Sequence, residues 1–81
     1  MGRGKEVSVV YRDDEVQQRV VNFLYSSHFP AFRLLDVAVH SGAVTVRGKV
    51  SSFYEKQVAM TTCQNVAGVM VLVDEIDVDD E

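Results

Sequence analysis

The sequence predicts an α+β (αββαβ) sandwich, in which two helices pack on one face of a three-stranded mixed sheet. Three observations support this prediction: two alternating apolar stretches around Ser41-Gly42, an apolar stripe at helical spacing on each side of that pair, and a last apolar stretch that ends at Val78. Each helical segment has a single apolar stripe, and the sheet has one strongly apolar face. Helices placed on that face bury all of these surfaces together.

A central hairpin is predicted because the two alternating stretches flank Ser41-Gly42. With these two residues as the turn, every inward residue of one strand opposes an inward residue of the other. On the outer face the same register places Asp36 opposite Arg47, an acid opposite a base. Gly48 lies in the inward row, where its missing side chain is expected to let a helix approach the sheet. The other residues predicted for the inward row are Leu35, Val37, Val39, Val44 and Val46.

The first helix is predicted to begin at Asp13, whose side chain can cap it, and to end near Ser27. The acids after Asp13 suit the positive end of the helix dipole. Pro30 prevents continuation because it lacks an N–H donor and restricts the residue before it. The apolar stripe of this helix is Val16, Val20, Phe23 and Leu24.

The second helix is predicted to begin with a capping box, in which Ser52 accepts from the Glu55 amide and Glu55 reaches back. Gly68 suits the left-handed conformation just past the helix end. The predicted apolar stripe is Tyr54, Val58, Ala59, Thr62, Cys63 and Val66.

A last strand is predicted from Val69 to Val78, with Val71 and Val73 on the face turned away from the helices. A right-handed crossover through the second helix makes this strand parallel to the second strand. The pattern leaves two positions open for it, beside the second strand or beside the first. Its predicted inward row is Leu72, Asp74, Ile76 and Val78.

One domain is predicted over residues 13–78, since 81 residues with 47% apolar content suffice for a single core. Residues 1–12 are expected to be a flexible or edge-strand segment, in which Val7–Tyr11 contributes β-forming side chains. Residues 79–81 are expected to be an acidic tail.

Nucleic acid is a disfavoured partner. The formal net charge is −4 and the isoelectric point is near 5.0, whereas proteins that bind nucleic acid use clustered cations to neutralise phosphates. The predicted outer sheet face also has no aromatic residue on which a base would stack.

No catalytic, metal or cofactor site is predicted. The single cysteine, Cys63, lies in the apolar stripe of the second helix, where burial raises the pKa of a thiol and keeps it unreactive. His28 is interpreted as a helix C-terminal residue and His40 as a polar residue that flanks the hairpin turn. A metal site would need further ligands near them, and the sequence places none there.

A cytoplasmic location is expected from the sequence as written. Met1 is followed by glycine and charged residues without an apolar signal region, and the longest apolar run, Val69–Val73, is far shorter than a membrane span. If the chain is a fragment of a longer exported protein, the expectation changes to association with the cell envelope.

An ordered set of apolar residues and glycines runs from Asp13 to Val78. It consists of the opening acid with Val16, Val20 and Leu24, the run Val37, Val39, Gly42, Val44, Val46, Gly48 and Val50, then Glu55, Lys56 and Ala59, and finally Val66, Gly68, Val69, Ile76 and Val78. With this set the chain resembles the BON (bacterial OsmY and nodulation) domain family. The resemblance implies an αββαβ fold, no enzymatic activity, and association with phospholipid membranes at the bacterial envelope.

Two functions follow as hypotheses. The first is phospholipid binding at the end of the sheet opposite the hairpin turn, where cations and aromatic residues are expected to converge. The second is contact with another protein domain, or homo-oligomerisation, through the outer sheet face. The residues expected for the first are Phe29, Phe32, Arg33, Arg47, Lys49 and Phe53. Those expected for the second are Val71 and Val73.

Overall fold

A computed structural model describes residues 12–79 of the chain. The αββαβ architecture is confirmed: two helices pack against a three-stranded mixed sheet. The expectations for Val7–Tyr11 and for the last two residues of the acidic tail lie outside the described residues. The elements are α1 (Asp13–Tyr25), a 3-10 helix (Pro30–Leu34), β1 (Asp36–His40), β2 (Ala43–Val50), α2 (Phe53–Gln64) and β3 (Val71–Val78).

The strand order is β1-β2-β3, with β2 in the centre. β1 and β2 are antiparallel in the predicted register, in which Asp36 faces Arg47 and His40 faces Ala43. β3 lies parallel to β2 and pairs with it. Of the two positions that the sequence left open for the last strand, it therefore occupies the one beside the second strand. Because β2 has neighbours on both sides, its inward residues are the best covered of the sheet.

The core lies between the helices and one face of the sheet. Val37 and Val39 are only partly buried, although the sequence predicted them in the core. β1 is an outer strand, so its inward side chains have a neighbouring strand on one side only, whereas those of β2 have a neighbouring strand on both sides. The buried apolar residues are Val16, Val20, Leu24, Phe32, Leu35, Val44, Val46, Val50, Ala59, Cys63, Val66 and Ile76.

Asp13 fastens the start of α1 to the hairpin turn instead of capping its own helix. The N-cap residue is Arg12, and within the described residues no side chain caps this end. The Asp13 carboxylate accepts hydrogen bonds from the backbone N–H groups of Ser41 (2.9 Å) and Gly42 (3.3 Å). Both turn residues have positive φ, 51° and 82°, which suits a two-residue turn of type I′. The acid therefore stabilises a turn in which Ser41 adopts a conformation that is unfavourable for a residue with a side chain.

α2 begins as the sequence predicted, with one difference. Ser52 accepts from the Glu55 amide (3.1 Å), but the Glu55 carboxylate reaches back to Ser51, one residue earlier than in a capping box. The helix ends at Gln64, so Gly68, with a φ of 97°, lies in the following turn and not directly at the helix end.

Tyr54 is exposed for 68% of its area and does not belong to the buried stripe of α2, contrary to the prediction. In α1, Phe23 is likewise 53% exposed, so the buried stripe of that helix is narrower than predicted. Both residues lie at the edge of an apolar stripe, where the spacing places a side chain near the core and packing decides its exposure.

Gly48 makes room for Leu35, and not for a helix as the sequence suggested. A Cβ at position 48 would lie 2.8 Å from Leu35 Cδ2 and 3.4 Å from Leu35 Cα. The φ of Gly48 is 147°, a conformation that residues with side chains rarely adopt. The glycine thus lets the segment that precedes β1 pack closely over the end of β2.

We expect Gly48→Val to lower the free energy of unfolding by about 1–3 kcal/mol, because the side chain clashes with Leu35 and the backbone is strained. Urea denaturation measures the change. Ala38→Val, at an exposed position of β1, is the matched control and is expected to be nearly neutral. Equal midpoints for Gly48→Val and the unaltered protein would contradict this account.

We expect Asp13→Ala to lower the free energy of unfolding by about 1–2 kcal/mol, because two turn amides lose their acceptor. Asp14→Ala is the control, since Asp14 is exposed and its partners among residues 12–79 are its neighbours Arg12 and Glu15. Both variants remove one acid from the first turn of α1. The difference between their unfolding free energies therefore measures the hydrogen bonds from Asp13 to the hairpin turn. Equal losses would mean that the helix dipole, and not the turn, accounts for the effect of Asp13.

Candidate functional site

The end of the sheet opposite the hairpin turn, here named the distal end, gathers several chain segments. β2 and β3 finish there, the 3-10 helix precedes β1 there, and α2 begins there. Since α1 starts at the hairpin turn, it also runs toward this end. Residues 28–34, 49–54 and 78–79 therefore share one side of the molecule.

Three aromatic residues of the distal end form a cluster that is anchored in the core. The ring centroid of Phe29 lies 5.0 Å from that of Phe32 and 6.0 Å from that of Tyr54. Phe32, one of the expected contact residues, is fully buried and does not present its ring at the surface. It is the largest side chain among those fully buried, and it holds the 3-10 helix against the core.

The large apolar side chains that are most exposed at the distal end are Leu34 (79%), Phe53 (73%) and Tyr54 (68%). Phe53 was among the expected contact residues, whereas Leu34 and Tyr54 were not. The sequence held a signal for Leu34. It stands next to Leu35, and in a chain that is about to enter a strand, two successive leucines cannot both face the core.

Two of the expected cations, Arg33 and Lys49, are brought to the distal end and are exposed. A Cβ at Gly48 would lie 3.6 Å from the Leu34 carbonyl oxygen, which places the chain around Arg33 over the end of β2 that carries Lys49. Within residues 12–79 neither cation forms an ion pair. A shallow cavity of about 190 Å³ beside Lys49 is lined by Ala31, Lys49, Val50, Ser51 and Asp79.

Arg47 lies on the same side of β2 as Lys49, two residues closer to the hairpin turn, but it has a partner. It lies on the open sheet face, where its guanidinium forms an ion pair of 2.8 Å with Glu75. Val71 and Val73 are on the same face toward the hairpin turn, 56% and 37% exposed. Of the expected contact residues, Val71 and Val73 therefore lie toward the hairpin turn, the distal group lies at the other end of the sheet, and Arg47 lies between them.

The groups with chemical reactivity are dispersed or buried. Cys63 is fully buried in the core, and burial raises the pKa of its thiol from 9.0 to about 11. His28 and His40 are exposed, on opposite ends of the molecule. Among residues 12–79 no three His, Cys, Asp or Glu side chains are grouped so that they could hold a metal ion.

A family model described as the BON domain matches residues 12–80. The chain belongs to the BON domain family. A comparison with curated proteins finds no match. The BON domain is known as a binding module associated with phospholipids, and the match covers the helices, the sheet and the distal end of this chain. No helix of this BON domain, within the described residues, is both long and apolar enough to cross a membrane.

The raised pKa of Cys63 predicts a loss of stability at high pH. The thiol in the unfolded chain ionises near pH 9, and the buried thiol near 11, so its contribution is complete below pH 9 and is lost as the pH rises to 11. Relative to Cys63→Ala, the unaltered protein should lose on the order of 2 kcal/mol of unfolding free energy across this interval. Urea denaturation at several pH values measures it. If the unfolding free energies of the two proteins changed with pH in parallel, the raised pKa of Cys63 would be contradicted.

Proposed function

We propose that this BON domain binds the surface of phospholipid membranes through its distal end. The observation that carries the proposal is the exposure of Leu34 and Phe53 beside two cations, Arg33 and Lys49, that have no ion pair within the described residues. Apolar side chains that enter the headgroup region, flanked by cations that attract anionic lipids, are the two components of interfacial binding. The association of the family with phospholipids supports the same assignment.

The contacts at the distal end suit weak and reversible binding. Burial of one large apolar side chain contributes about 1.5–3 kcal/mol, and one cation near an anionic surface about 1 kcal/mol. Because the whole chain has a net charge of −4, long-range attraction to an anionic membrane is absent, and binding depends on the local group. We infer that the domain prefers anionic lipids and releases them as salt increases.

The anchors are held rigidly. Phe53 is the first residue of α2, which Ser52 caps, and Leu34 is the last residue of the 3-10 helix. The contact between the rings of Phe29 and the buried Phe32 connects that helix to the core. An anchor that is already ordered loses little conformational entropy on insertion, so more of the burial energy remains for binding.

A second candidate is an interaction module that uses the open sheet face for another protein domain or a second copy. The observation that favours it is the exposure of Val71 and Val73 next to Met70, which is 80% exposed. Apolar groups that adjoin on a sheet face are typical of a surface that a partner covers. If a second copy covers it, Val71→Glu should halve the mass measured by light scattering.

For the membrane proposal, we expect Arg33→Gln with Lys49→Gln to reduce flotation with anionic liposomes by at least about tenfold, since two cation–lipid attractions are lost. The matched control is Arg12→Gln with Arg47→Gln, which shifts the net charge from −4 to the same −6 but removes cations that are paired with Asp14 and Glu75. Equal losses in both variants would mean that only total charge matters and would contradict the proposed site.

A further pair of variants tests the apolar contribution. Leu34→Ser with Phe53→Ser should abolish flotation without a large change in unfolding free energy, because both side chains are exposed. Met70→Ser, at an exposed apolar position beside the hairpin turn, should leave flotation unchanged. Unimpaired flotation of the double variant would overturn the assignment to the distal end.

A further inference from the structure

The outer surface of α2 lacks the charges that a solvated helix normally carries. From Gln57 to Val73 the sequence contains no acidic or basic residue, although such residues make up 25% of the chain. α1 packs on the same face of the sheet, and Asp14, Glu15 and Arg19 are among its exposed residues. Since depletion of charge is typical of the centre of an interface, the outer surface of α2 has the composition of a surface that a partner covers.

Two grooves run along this surface, one on each side of a ridge. Gln57 and Thr61 are exposed and one turn apart, and both of them line both grooves, so they form the ridge between them. Asn65 continues the ridge at the same spacing, just past the end of the helix. The grooves have volumes of about 250 and 390 Å³. On their outer sides they are bounded by further rows at this spacing, which are Tyr54, Val58 and Thr62 for the first groove and Lys56, Met60 and Gln64 for the second.

The shape of this surface suits another helix. Rows of side chains four residues apart form the ridges that enter each other's grooves when two helices cross at about −50°. The ridge of α2 is central, and a groove lies on each side of it, so a second helix with the same rows can place its own ridge beside Thr61. A helix with the same rows is available in a second copy of this chain.

The side chains of the ridge can also pair with copies of themselves. The amides of Gln57 and Asn65 each donate and accept hydrogen bonds, and so does the hydroxyl of Thr61. Among the described residues, Lys56 is the one charged residue that lines either groove, and its ammonium group is held by Asp74 at 3.2 Å. A partner of different sequence would therefore find no unpaired charge to recognise in these grooves.

The net charge of the chain favours contact at this surface over contact elsewhere. Each copy has a net charge of −4, so two copies repel each other unless they meet where no charges face each other. The ridge of α2 and the walls of the two grooves meet this condition.

We propose that two copies of this domain associate through α2, with the ridge of each helix in a groove of the other and Thr61 next to the two-fold axis. Because both copies use the same surface, the contact closes as a dimer and does not continue into a filament. One helix crossing is smaller than the roughly 1,200 Å² at which stable interfaces begin, so the dimer is weak and depends on concentration. The inference does not depend on lipid binding at the distal end.

Light scattering of the full chain without lipid tests the association. We expect the mass to rise from 9.0 kDa toward twice that value between micromolar and millimolar concentrations. Thr61→Glu brings two acids together at the axis and should keep the mass at that of one copy throughout this range. Gln18→Glu, at an exposed polar position of α1, adds the same charge to the other helix and should leave the rise unchanged.

Disulfide formation locates the contact. Thr61→Cys should form a linked dimer under mild oxidation at least about tenfold faster than Gln18→Cys, because the axis brings the two thiols at position 61 together. The native Cys63 does not contribute, since it is buried and its pKa is raised.

Three results would overturn the inference. The first is a mass of one copy at all concentrations, and the second is equal rates of disulfide formation at positions 61 and 18. The third is a doubled mass that Val71→Glu abolishes and Thr61→Glu does not, because the copies then meet at the open sheet face.

Discussion

Gly42, in the hairpin turn, is hydrogen-bonded both to the start of α1 and to the start of β3. Its N–H binds the Asp13 carboxylate at the start of α1, and its carbonyl accepts from Met70 and Val71 at the start of β3. These bonds hold the first helix, the hairpin and the last strand at one point, and the parallel register of β3 follows from there. A side chain at this position is unfavourable on two grounds, because the φ is 82° and a Cβ would lie 3.0 Å from the Met70 sulfur.

Away from the hairpin turn, side chains bind backbone groups of the two outer strands, β1 and β3. The Gln17 amide donates to the Val37 carbonyl (2.9 Å) on β1. On β3 the Asp74 carboxylate accepts from the Ile76 N–H (2.9 Å) and is held by Lys56 (3.2 Å). A strand that pairs with either edge would have to displace these groups, which disfavours growth of the sheet.

The candidate site shows how far residue type alone can locate a surface. Arg33, Lys49 and Phe53 were placed correctly at the end opposite the turn, because the register of the hairpin determines which residues share that end. Phe32, which was among the expected contact residues, is buried, whereas the exposed Leu34 was not among them. Both lie in the 3-10 helix, a short segment with too few residues to show a periodicity, so only its packing decides which side chain turns inward.

The sequence by itself determined the element order, the hairpin register, the start of α2 and the burial of Cys63, because period-two and helical spacing and the Ser52 cap are local properties. It also sufficed to recognise the family. Only the tertiary structure decided that β3 lies beside β2, that Asp13 binds the turn, and that Gly48 accommodates Leu35. These three features join residues that are distant in the chain, and their energies depend on which segments come together, which no local pattern encodes.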